Sequence, residues 1–257
     1  MKTCLVANLG LVEYGAARAL ERRLVAARKA GAVPDVLLLC EHPHVITQGR
    51  AGRAQNLLAS ERVLAQMGVR FFDTDRGGDI TYHGPGQLVT YPIINLGEIR
   101  RDVGWYVRQL EEAMIRASAD FGVSATRVAC MTGAWAAPPS AAGEETSTAA
   151  LEKIGAIGVH ISRWVTSHGL AYNVATDLRY FDLIVPCGLS GRRATSLEKL
   201  LDRGVSVADV APRVAHHLCE LLGLGVQDSS IAEIEEKLAE FESRSEAPSE
   251  TRAPVLA

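Results

Sequence analysis

The sequence predicts a mixed α/β (α+β) fold, a mixed sheet flanked by helices. Three observations carry this. Short apolar runs bounded by Pro, Gly and polar residues read as strands, and glycine-terminated segments with helical spacing read as helices. The two are interspersed without a regular βαβ rhythm. Two strand-like segments in direct succession, 153–163 and 164–174, add a hairpin. The 257 residues, 47% hydrophobic and 22% charged, suffice for a buried core.

Taken in order, residues 12–30 show helical spacing, with Leu20 and Leu24 four apart and Gly31 as the stop. The apolar run at 33–40, which contains Pro34, reads as a buried strand, and 45–48 as a second. Ser60 is placed to cap a helix through Met67, closed by Gly68, with a strand at 69–72 beyond it. A glycine-rich stretch at 76–87 leads into a β-rich segment at 88–96. Asp102 caps a helix to about Phe121, stopped by Gly122. The last third is helical at 197–201, 207–222 and 231–241. Residues 136–150, small, polar and aperiodic, are expected to form a mobile loop, and 243–257 a disordered tail. This divides the chain into a main unit at 1–225, a C-terminal helix at 226–242 and the tail.

The net charge of −3 disfavours a general nucleic-acid binder, which needs a basic excess. The longest apolar runs are too short to span a membrane, and the N-terminus carries no signal-peptide pattern, so the chain reads as cytosolic. Five cysteines, Cys4, Cys40, Cys130, Cys187 and Cys219, are scattered without a CxxC pair, against both a disulfide framework and a zinc site. His42 and His44 flank Pro43, but only Glu41 stands near them as a further ligand, so metal binding is not expected. His216 and His217 read as ordinary helix residues.

Three segments carry chemistry. In RGGDITYHGPGQLVTYP (76–92), Gly77, Gly78, Gly84, Pro85 and Gly86 dictate backbone shape. That suits either a tight hairpin or a loop wrapping a substrate, and Arg76, His83 and Gln87 set among strand residues favour the loop. In KIGAIGVHISRWVTSHGLAYNV (153–174), Lys153 opens a strand of small residues, Gly155, Ala156 and Gly158, expected to leave space for a ligand. A solvated edge lysine is the plain alternative. In IVPCGLSGRRATSLEKL (184–200), Cys187 sits in a turn between Pro186 and Gly188, either as a reachable thiol or as a buried turn residue.

Together these segments resemble the lipoyl(octanoyl) transferases. The family signature stands at Arg76, Gly77, Gly78, Thr81, Tyr82, His83, Gly86, Gln87 and Tyr91. It continues as Lys-Ile-Gly from Lys153, His-Gly-Leu-Ala from His168, and Pro-Cys-Gly around Cys187. The resemblance covers roughly residues 5–222 and implies the fold of the biotin and lipoate protein ligase catalytic domain. It implies that Cys187 carries the acyl group as a thioester and that Lys153 lowers its pKa. It places the acyl substrate against Arg76, Gly77, Gly78, Asp79, Ile80, Thr81, Tyr82 and His83, against Ala156, Ile157 and Gly158, and against Gly169, Leu170 and Ala171. The implied donor is octanoyl-acyl carrier protein. The implied acceptors are lipoyl domains of 2-oxoacid dehydrogenases and the glycine cleavage H protein. The 136–150 loop is longer than expected for the family.

These residue types suit two successive acyl transfers. A thiolate is the nucleophile, and an ammonium beside it favours the ionised form. Lys153 could also serve as general base and acid. Gly77, Gly78 and Gly188 are candidate donors to the tetrahedral oxyanion. The donor thioester is already activated, so no cofactor, metal or nucleotide is expected. Arg50, Arg53, Arg192 and Arg193 could steer an acidic partner. The alternatives are an ATP-dependent lipoate- or biotin-protein ligase, an acyl-thioester hydrolase, and a non-catalytic module that binds the carrier protein. The ligase needs no cysteine and carries extra basic residues in its glycine-rich loop, where Asp79 and Ile80 stand here.

Overall fold

The computed structural model describes residues 2–138, 148–186 and 192–246. Cys187, Gly188, residues 139–147 of the expected loop and the chain beyond 246 lie outside the described residues.

Strands β1 (Lys2–Leu11) and β2 (Asp35–Glu41) lie parallel, connected by helix α1 (Tyr14–Lys29). β2 is buried on both sides, which is why it reads as an unbroken apolar run. Leu37 and Leu39 enter one core; Val36, Leu38 and Cys40 enter the other. That is the two-residue period of a strand. β2 pairs antiparallel with β6 (Gln87–Ile93), which pairs with β10 (Val165–Asn173) and so reaches β9 (Glu152–Ser162). β8 (Met131–Ala136) and β7 (Ala125–Val128) finish one edge. β11 (Leu224–Asp228) finishes the other, for an order of β11-β1-β2-β6-β10-β9-β8-β7.

One face is covered by α3 (Val103–Asp120) and α5 (Val207–Leu221), which bury Leu110, Met114, Val214 and Leu218. The other is covered by α1 and α6 (Ile231–Glu246) through Leu24, Ile234 and Leu238. Asp102 caps α3 by accepting the Trp105 N–H at 2.8 Å, and Gly122 beyond its end has φ +83°. Ser60 caps the short α2 (Glu61–Gln66) in the same way, as Ser196 does the short α4 (Leu197–Leu201). No helix among the described residues is long and apolar enough to cross a membrane.

A second sheet of three strands, β4 (Arg70–Asp73), β3 (Val45–Gln48) and β5 (Ile80–His83), takes the order β4-β3-β5. It is joined to the large sheet where the Gly77 N–H donates to the Val159 carbonyl at 2.9 Å. The site lies between the two sheets.

The C-terminal boundary differs from expectation. α6 continues to Glu246, so 243–246 are helix and not tail. Within the helix, Glu235 and Glu242 each bind Arg23 of α1 at 2.7 Å. β11 spans the expected division at 225 and pairs along β1, tying the C-terminal segment to the main sheet.

Candidate active site

β9 pairs irregularly with β8. Lys153 faces Trp135 and Gly155 faces Ala134, so Ile154 is the extra residue of a bulge. Ile154 is fully buried in the main core. Gly155 backs onto the same core, where an added Cβ would stand 2.3 Å from Met114 Sδ. With both residues turned inward, Lys153 and Ala156, three positions apart, come to one side of the strand. Regular alternation would separate them. Both line a cleft of about 470 Å³ with Thr81, Gln87, Trp135 and Asn173. Lys153 Nζ sits 4.7 Å from the Trp135 ring centroid, a cation–π contact with a fully buried indole.

The described residues on either side of 187–191 reach this cleft. The Lys153 N–H donates to the Arg193 carbonyl at 2.8 Å, and the Thr195 N–H donates to the Lys153 carbonyl at 2.9 Å. On the other flank the Val185 N–H donates to the Asn56 carbonyl at 2.7 Å. Pro186, Arg192, Arg193 and Ala194 all line the cleft beside Lys153.

A second cavity, about 520 Å³, continues inward and shares Thr81, Ala156 and Ala171 with the first. Arg76, Gly78, Asp79, Ile80 and His83 line it from the small sheet and its leading loop. Ile157 and Gly158 line it from β9, Gly169 and Leu170 from β10. Tyr14, Val89, Tyr91 and His168 complete it. Gly77 and Tyr82 are not among the lining residues. Tyr82 alternates to the far side of β5 among Ile46, Leu64 and Ile184, and its hydroxyl hydrogen-bonds His44 Nδ1 at 2.7 Å.

Two expectations are corrected here. Gly77 cannot serve as an oxyanion donor, because its N–H is already given to Val159. Val159 also stands six positions past Lys153, roughly 20 Å at strand rise. Gly158 and Gly169 line the second cavity with their main chain, but the space a side chain would take is not left to a ligand. A Cβ on Gly158 would stand 2.9 Å from both Arg76 Cδ and the Gly77 oxygen, and one on Gly169 would stand 2.1 Å from the Thr90 oxygen. Protein atoms fill that space, and the alanines Ala156 and Ala171 border the cavities.

A hydrogen-bonded chain crosses between the sheets. The Arg76 guanidinium donates to the Thr47 carbonyl at 2.6 Å and to its hydroxyl at 2.9 Å. His83 joins the Thr47 hydroxyl at 3.3 Å and donates from Nδ1 to Gln87 Oε1 at 2.7 Å. Gln87 donates to Asn173 Oδ1 at 2.9 Å, and Asn173 donates to the Thr195 carbonyl at 2.9 Å, one bond from Lys153. Burial first, and then the proximity of His42 and of the Arg76 guanidinium, push the His83 pKa down to about 3, so the imidazole is neutral. Thr47 and Asn173 escape sequence reading because only the fold brings them to His83 and Gln87.

The remaining candidates have structural duties. His42 donates from Nδ1 to the Val12 carbonyl and accepts from the Tyr91 hydroxyl, each at 2.7 Å. His217 hydrogen-bonds Asp120 at 2.8 Å. Cys4, Cys40 and Cys219 are buried in the core, and burial pushes the Cys40 thiol well up; Cys130 is exposed. Arg192 and Arg193 stand at the cleft, while Arg50 and Arg53 are exposed on a loop bracing 76–79.

A mixed sheet flanked by helices is the fold of the lipoate protein ligases. The chain superposes on the bipartite lipoate protein ligase of Thermoplasma acidophilum with a TM-score of 0.70 at 16% identity, covering 100% of both chains. It superposes on a lipoate-protein ligase A bound with ATP with a TM-score of 0.66 at 16% identity, covering 93% of each. At that identity the likeness is one of fold. Residues 13–219 match the lipoyl protein ligase A/B catalytic domain, and the chain belongs to that family. Curated relatives are named octanoyltransferase. That of Solibacter usitatus is 49% identical over 86% of this chain and 94% of its own. That of Acidobacterium capsulatum is 52% identical over 74% and 78%. The chain is thus an acyltransferase of the octanoyltransferase kind.

Proposed function

We propose that the chain transfers octanoyl from an acyl carrier protein to a lysine of a lipoyl domain, in 2-oxoacid dehydrogenases or the glycine cleavage H protein, through a thioester on Cys187. The observation that carries this reading is the bulge at Ile154. It aims Lys153 at the mouth of a largely apolar slot, where both flanks of Cys187 also end.

The Cys187 thiolate attacks the donor thioester carbonyl. The carbonyl carbon–sulfur bond to the carrier breaks, and the carrier leaves as a thiol, taking its proton from Lys153. The acceptor amine then attacks the acyl-enzyme, gives its proton to Lys153 and expels the Cys187 thiolate. An ammonium at Lys153 favours that thiolate at both ends of the cycle. Arg76, Gly78, Asp79, Ile80, Thr81 and His83 cover the acyl chain, while Ala156, Ile157, Gly158, Gly169, Leu170 and Ala171 form its bed. Burying six methylenes contributes about 5 kcal/mol. Gly77 and Tyr82 act from behind this lining, as supports.

Intact-protein mass after incubation with octanoyl-carrier protein, without ATP, tests the reading. We expect a gain of one octanoyl group, absent in Cys187→Ser, much reduced in Lys153→Ala, and lost when a lipoyl domain is added. No gain without ATP, but acceptor modification from octanoate and ATP, would instead indicate a ligase. Normal turnover by Cys187→Ser would sink the thioester intermediate.

A further inference from the structure

We infer that His168, clamped to Asp75, is the end wall of the acyl slot and sets the longest acyl chain that fits; this rests on the transferase reading above. The register of the β9–β10 hairpin locates the wall. Gly158 pairs with Gly169 inside the slot, and the next rung pairs Val159 with His168. From Ala156, beside Lys153, to Val159 is three positions, about 10 Å at strand rise, comparable to an extended octanoyl chain.

Behind the wall lies a different space. Asp75 lines an open surface groove of about 680 Å³ with Arg18, His160 and Ser167, floored by Val25 and Ala26. The His168 side chain is 3% exposed, whereas that of Asp75 is 42% exposed. The pair therefore separates the slot from the groove.

The wall is fixed in place. His168 Nε2 donates to Asp75 Oδ1 at 2.8 Å, and its backbone N–H donates to Glu21. Arg18 closes the ring, binding Glu21 at 2.7 Å and also pairing with Asp75. The backbone of His168 holds φ +56°, a conformation that a side-chain-bearing residue keeps only when its surroundings impose it.

The test is competitive loading by an equimolar mixture of octanoyl-, decanoyl-, dodecanoyl- and tetradecanoyl-carrier proteins, read as acyl-enzyme masses. Glycine accepts φ +56° freely, so His168→Gly opens the wall without straining the strand. We expect its dodecanoyl-to-octanoyl ratio to rise by about tenfold or more over that of the unmodified protein, the scale on which pocket length discriminates methylenes. Asp75→Ala, at a half-exposed position, frees the imidazole without removing it and should shift the ratio in the same direction by less. Folded variants that load the four chains in the unmodified ratio would overturn the end wall while leaving transfer intact. Should His168→Gly fail to fold, an unmoved ratio in Asp75→Ala overturns it equally. Failure of the unmodified protein to load any chain would remove the transferase reading, and this inference with it.

Discussion

Gly169 and Gly204 are both glycines in a folded chain, yet their surroundings assign them opposite weights. A Cβ on Gly169 would stand 2.1 Å from the Thr90 oxygen and 2.5 Å from Pro92 Cδ, both on neighbouring strand β6. Main chain in a buried sheet cannot retreat. Gly169→Ala should therefore cost about 3 kcal/mol or more by urea denaturation, the upper range of overpacking. A Cβ on Gly204 meets nothing within 4 Å, and its φ is ordinary, so Gly204→Ala should stay within about 0.5 kcal/mol of the unmodified protein. Equal effects would mean that the hairpin yields more than its geometry indicates. In sequence the two residues look alike. A glycine's importance is visible in one dimension only when a motif surrounds it, and the motif reports that the site is special without reporting what occupies the space.

The bulge at Ile154 is the element-scale counterpart. It exists because β8 and β9 disagree by one residue, and the disagreement is packed down on Met114 of α3. Gly155→Ala should cost roughly 1–3 kcal/mol, because the thioether 2.3 Å away must move. Met114→Ala should cost a comparable or larger amount as a buried truncation. If the two share this contact, the double variant will be more stable than the sum of losses predicts, by at least about 0.5 kcal/mol. Strict additivity would place the strain elsewhere. Elements of this kind define the limit of sequence reading. The helices were legible because their signals are local: Asp102 and Ser60 as caps, Gly31, Gly68 and Gly122 as stops. β2 and β3 were legible as apolar runs. β5 was hidden within a glycine-rich motif. β1, β7, β8 and β11 were missed because short or partly exposed strands are made by their partners, such as Lys2 pairing with Leu224. The site segments were visible as motifs, but the bulge that turns Lys153 toward them is a relation between two strands.

At the scale of the whole molecule, the sheet is held to α1 and to the small sheet by buried imidazoles that stay neutral. Burial depresses the pKa of His42 and of His168, and drives that of His83 to about 3. In the unfolded chain each imidazole titrates near 6.5. Between that value and the folded one, the unfolded state holds a proton that the native state refuses, so stability rises with pH across this window and is lost as pH falls through it. At pH 5 the cost for a group as depressed as His83 is roughly 2 kcal/mol. Carboxylates add a later loss: hydrogen bonds from Arg28 and Lys2 hold Glu98 at about 2, so its contribution fades below the ordinary carboxylate range. The urea midpoint should therefore fall between pH 7.5 and pH 5, before carboxylates titrate. His83→Asn should start less stable, having broken the chain from Thr47 to Gln87, yet lose less over the same interval because one of the refused protons is gone. A drop between pH 7.5 and 5 as steep in His83→Asn as in the unmodified protein would assign the acid sensitivity to His42, His168 or surface charge, and would remove His83 as the group that couples the two sheets to pH.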